Sequence, residues 1–180
     1  MITETKAIIL DRDGVLNHDR SKYIRSTEQL RIIDGVPEAI HLLKQAGYKV
    51  LVATNQACIG KGIISPDTLT NINKKLYSQI AKGGGKIDAI YHCPHRDEDM
   101  CNCRKPKPGL LLQAQEEWKF KPEVTWFIGD TVRDMQAAKG AGCLGALVLT
   151  GKGEETAPQR PDHRHFKDLL EFVRFLLDQS

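Results

Sequence analysis

Two aspartates stand two residues apart in "LDRDGVLN", residues 10–17. Asp11 and Asp13 follow an apolar run and precede a glycine. A carboxylate at a strand end can attack phosphorus and form an acyl-phosphate intermediate. A second carboxylate two positions on can protonate the leaving oxygen and later activate water. Taken alone, the string D-x-D-G also arises in ordinary surface turns. Three further strings carry complementary chemistry. "ATNQ" offers Thr54 and Asn55, a hydroxyl and an amide able to hold phosphate oxygens. "RKPKPG" offers Lys105, a fixed cation for a phosphoryl group in transfer. "IGDTVRD" offers Asp130 and Asp134. Asp130 with Asp11 makes a set of hard oxygen ligands, the kind Mg2+ prefers.

A second constellation lies in "HCPHRDEDMCNCRKPKPG". Cys93, His95, Cys101 and Cys103 give the pattern C-x-H-x5-C-x-C, three thiolates and an imidazole of the kind that hold tetrahedral structural Zn2+. The pairs are spaced more tightly than in common zinc fingers, and free reduced thiols are the competing reading. Cys58 and Cys143 are isolated in sequence and read as plain thiols.

These groups need a scaffold. "KAIIL", "KVLVA", "IDAIYH", "VTWFIG" and "LGALVL" (6–10, 49–53, 87–92, 124–129 and 144–149) are apolar runs without alternation, as in strands covered on both faces. Helical patterns lie between and after them, at 36–47, 65–82, 107–118, 132–142 and 166–178. Ser65 and Pro66 give the second a cap and a first helical residue. Alternation of this kind predicts right-handed crossovers and a three-layer α/β/α sandwich with a mainly parallel, Rossmann-like sheet. Ligands then bind beyond the carboxyl ends of the strands, where Asp11, Thr54 and Asp130 fall.

The 180 residues fit a single domain, 1–180, and an apolar content of 41% is enough for an ordinary core. A charged fraction of 27% argues against disorder. Five cysteines, an odd number, with no export signal at the start, argue against a disulfide framework and for a cytoplasmic protein. No apolar run is long enough for a membrane span. The formal charge of +3 suits an anionic small molecule and is too weak to argue for nucleic acid. A zinc knuckle ahead of "RKPKP" is a module that could bind nucleic acid, but aromatic residues are only 6% and the loop holds Asp97, Glu98 and Asp99. The expected partner is a phosphorylated sugar, with no nucleic acid, no membrane, and the chain a monomer.

The order D-x-D, T-N, K, G-D-x3-D over residues 7–150 resembles the four motifs of the haloacid dehalogenase-like phosphatases. The resemblance implies Asp11 as nucleophile and Asp13 as general acid then base. It implies Thr54 and Lys105 as phosphoryl stabilisers, and Mg2+ on Asp11, the Asp13 carbonyl and Asp130, with Asp134 supporting from behind. The superfamily often inserts a cap domain. Here the intervals Gly14–Asp34 and Gln56–Lys86 are too short for a large one, so the zinc-binding loop and residues 17–24 should form the rim.

The cysteine-rich segment resembles the zinc loop of the D-glycero-D-manno-heptose 1,7-bisphosphate phosphatases and the related histidinol-phosphate phosphatases. There the metal is structural, and the loop delivers its Arg-Lys to the site. "LDRDGVLN", Tyr23, "IDGVPEAI", "TNQACIGKG", "YHCPH", "KPGLLLQA" and "LTGKG" lean toward the heptose branch. That resemblance implies substrate contacts from Asp19, Arg20, Ser21, Lys22 and Tyr23, from Thr54, Asn55, Gln56 and Ala57, and from Arg104. Two departures fall near the substrate. Lys22-Tyr23 stands where the heptose enzymes commonly read Gly-Tyr, and Thr131 where many carry a lysine. The short spacing between His95 and Cys101 is shared with the histidinol-phosphate branch, which is the alternative. His163 and His165 read as part of a solvated loop, Trp118 and Trp126 as packing residues.

Overall fold

Strand β1 (Ala7–Leu10) is buried at every position, and its side chains alternate between two cores. Ile8 and Leu10 join one apolar cluster, Ala7 and Ile9 the other. That division makes three layers. In the computed structural model, which describes residues 5–179, the sheet is completed by β2 (Lys49–Asn55), β3 (Ala89–Cys93), β4 (Trp126–Gly129), β5 (Leu144–Val148) and β6 (Arg164–Phe166). Residues 1–4 and 180, the outer limits of the single-domain expectation, lie outside the described residues.

All strand pairs are parallel, in the order β3-β2-β1-β4-β5-β6. Helices α1 (Val36–Gln45), α2 (Pro66–Lys82) and α6 (Leu169–Asp178) cover one face. Helices α3 (Gly109–Trp118) and α4 (Val132–Gly140) cover the other. Burial dominates the energetics. Each fully buried Leu or Ile contributes about 1.5–3 kcal/mol, against about 1 kcal/mol for a cap such as the Ser65 hydroxyl on the Thr68 amide. The strand order reverses between β1 and β4, and the crevice at such a switch point is where this architecture binds ligands.

Some boundaries differ from expectation for local reasons. β6 falls inside a segment expected to be a solvated loop. Only Phe166 of its three residues is buried, so its one apolar side chain gives no periodic signal, and pairing to β5 makes the strand. His165 is in that strand and still exposed, with Nε2 2.9 Å from the Arg160 carbonyl oxygen. α6 starts at Leu169 rather than 166, because Asp168 caps it by accepting from the Glu171 amide at 2.9 Å. β4 starts at Trp126, since Pro122–Val124 form a 3-10 turn. β3 runs on to Cys93, so the first cysteine of the zinc pattern is a strand residue. A one-turn helix, α5 (Gly153–Thr156), was not anticipated. Neither candidate cap interval builds a layer over the sheet. Residues 14–34 form a loop with one 3-10 turn, and residues 56–86 are mostly α2.

Candidate active site

Asp11 ends β1 and Asp130 ends β4, and the Asp11 amide donates to the Ile128 carbonyl at 2.9 Å. Strand pairing therefore sets the two carboxylates side by side. One ligand oxygen from each of Asp11, Asp130 and Asp134 lies within 4.8 Å of the others. Lys105 sits among them and is 2% exposed. Its ammonium reaches Asp11 Oδ1 at 2.9 Å, Asp134 Oδ1 at 2.7 Å and the Ala53 carbonyl oxygen at 2.9 Å, which engages all three of its hydrogens. Those two carboxylates hold Lys105 protonated against the penalty of burial. Asp134 also accepts from the Thr131 amide and hydroxyl, at 3.1 and 2.6 Å. Its oxygens are thus engaged by protein.

Asp130 differs. Its Oδ2 accepts from the Lys152 amide at 2.8 Å, but its buried Oδ1 has no partner among the described residues. Burial pushes Asp130 up to about 8, with Asp11 and Asp134 adding repulsion. Burial likewise pushes Asp11 up to about 7, with Lys105 pulling the other way. Buried carboxylates that repel each other and leave an oxygen unsatisfied fit a hard divalent cation such as Mg2+. Two glycines make room. A β-carbon on Gly14 would lie 2.1 Å from Asp130 Oδ2, and one on Gly151 2.2 Å from the same atom, and both have positive φ.

Asp13 has the opposite surroundings. It accepts from Arg12 Nε and Nη2, at 3.2 and 3.0 Å, from Asn17 Nδ2 at 2.9 Å and from Gln56 Nε2 at 2.8 Å. Burial alone would raise its pKa, but the Arg12 guanidinium and these hydrogen bonds hold it below the usual carboxylate range. Gln56 also donates to Thr54 Oγ1 at 2.9 Å. Asn55 exchanges two hydrogen bonds with the Lys105 backbone, at 3.0 and 3.1 Å. The end of β2 therefore fixes the peptide that carries the lysine.

Cys93 Sγ, His95 Nδ1, Cys101 Sγ and Cys103 Sγ face one another with four separations of 3.3–3.7 Å. A tetrahedron with Zn–S near 2.3 Å has edges of about 3.8 Å, so the donor set and spacing fit a closed structural zinc site. Arg96, Asp97, Met100 and Cys101 of the loop between these ligands line a small cavity together with Lys105. Arg104 follows the loop, but its guanidinium turns to Asp97, at 2.9 and 3.4 Å, and to the His95 carbonyl at 3.3 Å.

A cavity of about 590 Å3 opens above the carboxyl ends of the strands. Asp11, Asp13, Thr54, Asn55, Lys105, Asp130 and Thr131 line it, as do Asp19, Arg20, Ser21 and Tyr23 of the loop after β1. Tyr23 has φ of 63° and its hydroxyl accepts from Lys61 at 3.0 Å. Four residues expected at the substrate are not on its wall. Lys22 is exposed beside it, Gln56 lies beneath Asp13, Ala57 is buried at the start of the next turn, and Arg104 lines a neighbouring cavity of about 180 Å3. Val132, Arg133, Asp134, Lys152, Glu155, Thr156 and Gln159 complete the wall. Of these, Val132, Arg133 and Asp134 lie in "IGDTVRD" and Lys152 in "LTGKG", while Glu155, Thr156 and Gln159 lie in none of the motif strings.

Comparison with known proteins agrees with this geometry. The HAD-hydrolase-like family model matches residues 102–172. The D-glycero-beta-D-manno-heptose-1,7-bisphosphate 7-phosphatase of Neisseria meningitidis serogroup A is 41% identical over 97% of this chain and 96% of its own. The D-glycero-alpha-D-manno-heptose-1,7-bisphosphate 7-phosphatase of Campylobacter jejuni is 37% identical over 98% and 99%. The crystal structure of D,D-heptose 1,7-bisphosphate phosphatase from B. bronchiseptica, complexed with magnesium and phosphate, superposes with a TM-score of 0.95 at 37% identity, covering 98% of this chain and all of that one.

Proposed function

Because the chain belongs to the D-glycero-D-manno-heptose 1,7-bisphosphate 7-phosphatase family of haloacid dehalogenase-like hydrolases, we propose that it removes the 7-phosphate from that bisphosphate, leaving heptose 1-phosphate and inorganic phosphate. Asp11 attacks phosphorus and forms an aspartyl phosphate. Asp13 gives its proton to the departing C7 oxygen, then takes one from the water that attacks phosphorus and releases Asp11. Thr54 and Lys105 hold the phosphoryl oxygens. Held by Asp11, Asp130 and the Asp13 carbonyl, Mg2+ supplies positive charge against the transferring group and favours ionised Asp11. Zn2+ on Cys93, His95, Cys101 and Cys103 is structural. The chain works as one uncapped domain.

The observation that carries this reading is the meeting of Asp11, Lys105 and the unpartnered Asp130 Oδ1 at one sheet edge. The wall above is polar, with Tyr23 its one aromatic ring, which favours a hydroxylated sugar over the imidazole of histidinol phosphate. The cations of the basic string are also engaged by the protein itself. Lys105 is buried, Arg104 is on Asp97 and Lys107 is on the Cys101 carbonyl, which disfavours a nucleic-acid surface. The β anomer is the proposed substrate, since over nearly the whole chain a relative named for it is 41% identical and one named for the α anomer 37%.

The test is phosphate release with Mg2+ from both heptose 1,7-bisphosphate anomers and from histidinol phosphate. The β anomer should give the highest kcat/KM, and Asp11→Asn should fall to background on every substrate. A preference for histidinol phosphate would overturn the substrate. Near-normal turnover by Asp11→Asn would overturn the mechanism.

A further inference from the structure

Arg133 is in the first turn of α4, two positions after the cap Thr131. A cation there opposes the helix dipole, and acidic residues are the favoured choice. A side chain that violates a local rule marks a place where something outside the helix sets the choice. Arg133 is half exposed and lines the main cavity. Its Nη1 donates to Asp97 Oδ1 at 3.0 Å, the same oxygen that accepts from Arg104 Nε at 2.9 Å. Two guanidiniums from different elements thus converge on one carboxylate. Asp97 and Arg104 line the neighbouring cavity, and Lys105 lines both. The Arg133–Asp97 contact therefore joins a residue lining one cavity to a residue lining the other.

Resting on the bisphosphatase reading above, we propose that Arg133 is the residue that selects a bisphosphate, by binding the phosphoryl group that is not transferred, and that Asp97 occupies its guanidinium until substrate arrives. Asp97 is 63% exposed at its side chain, and an exposed ion pair contributes little to stability. A dianionic phosphate makes stronger, bidentate bonds to arginine than a single shared carboxylate oxygen does. Two arginines on one carboxylate also leave a net positive charge at the rim before substrate binds. Thr131, the adjacent polar residue on the wall, donates its hydroxyl to Asp134. A monophosphate brings no second anion, so it leaves the Arg133–Asp97 contact closed.

The experiment compares kcat/KM for heptose 1,7-bisphosphate and for heptose 7-phosphate in wild type, Arg133→Gln, Arg133→Lys and Asp97→Asn. Arg133→Gln should lower the bisphosphate-to-monophosphate ratio about 10- to 100-fold, mainly through KM for the bisphosphate, as loss of a hydrogen bond to a charged group implies. Arg133→Lys should restore part of the ratio, and Asp97→Asn should raise it. A ratio within twofold of wild type in Arg133→Gln, or a fall in Asp97→Asn, overturns the proposal while leaving the reaction assigned. Wild-type protein that releases no phosphate from the bisphosphate overturns both.

Discussion

Asp11 and Asp13 are the same residue type two positions apart, yet the fold drives them in opposite directions. Burial raises Asp11 to about 7 despite Lys105, whereas Arg12, Asn17 and Gln56 hold Asp13 ionised. Titratable neighbours set apart in this way take different chemical roles. Asp13 as it stands is poised as a base, as the proposed hydrolytic half of the reaction requires. In the first half the incoming phosphate dianion repels it and favours its protonated form. Gly14 is equally decisive, because Asp130 occupies the space a side chain there would need. Gly14→Ala should displace the Asp130 carboxylate, weaken Mg2+ binding at least tenfold and lower kcat/KM by at least as much. A Mg2+ titration of activity measures both, and an unchanged Mg2+ midpoint would contradict the assignment of Asp130 as a ligand.

At the level of elements, strand ends position the acids, and a loop positions the lysine. The loop from His95 to Cys103 contributes little to the core, with only Cys101 and Cys103 packed against it as half-buried groups. Ordering its residues costs about 1–2 kcal/mol each, and the proposed zinc site is what offsets that. Chelating zinc should therefore lower kcat with Mg2+ in excess, and readding Zn2+ should restore it. Full activity in protein shown by metal analysis to be zinc-free would count against this. The same contrast explains what the sequence reveals. β1, β2 and the Ser65–Pro66 helix start were legible, because apolar runs and caps are local signals. β6 and α5 were not, since β5 pairing makes one and a single turn carries no periodicity. The motif residues Asp11, Asp130 and Lys105 could be named from their strings. Arg104 could be named too, but not its turn toward Asp97, which depends on a contact with no sequence spacing to announce it. Arg133 and Gln159 reach the wall only through the packing of α4 and the segment after α5.

For the whole molecule, the site lies where the sheet order reverses, and it concentrates buried negative charge there. Asp11 and Asp130 titrate near 7 and 8 when folded without metal, above their ordinary value of 3.8. The folded chain then binds more protons than the unfolded one between about pH 4 and pH 8, so metal-free stability falls as pH rises across that window. Mg2+ replaces those protons. The rise in Tm on adding Mg2+ should be larger at pH 8.5 than at pH 5.5, and thermal unfolding with and without the cation at both values checks this. Equal gains would mean that the acids do not form the cation site. The pairing of β1 with β4 has one more outcome. The proposed nucleophile emerges early during synthesis, and the neighbour proposed to share its metal only after most of the chain has left the ribosome. A nascent chain of the first hundred residues carries Asp11 but not Lys105 or Asp130, so it has no means of hydrolysing cellular phosphate esters before the sheet closes.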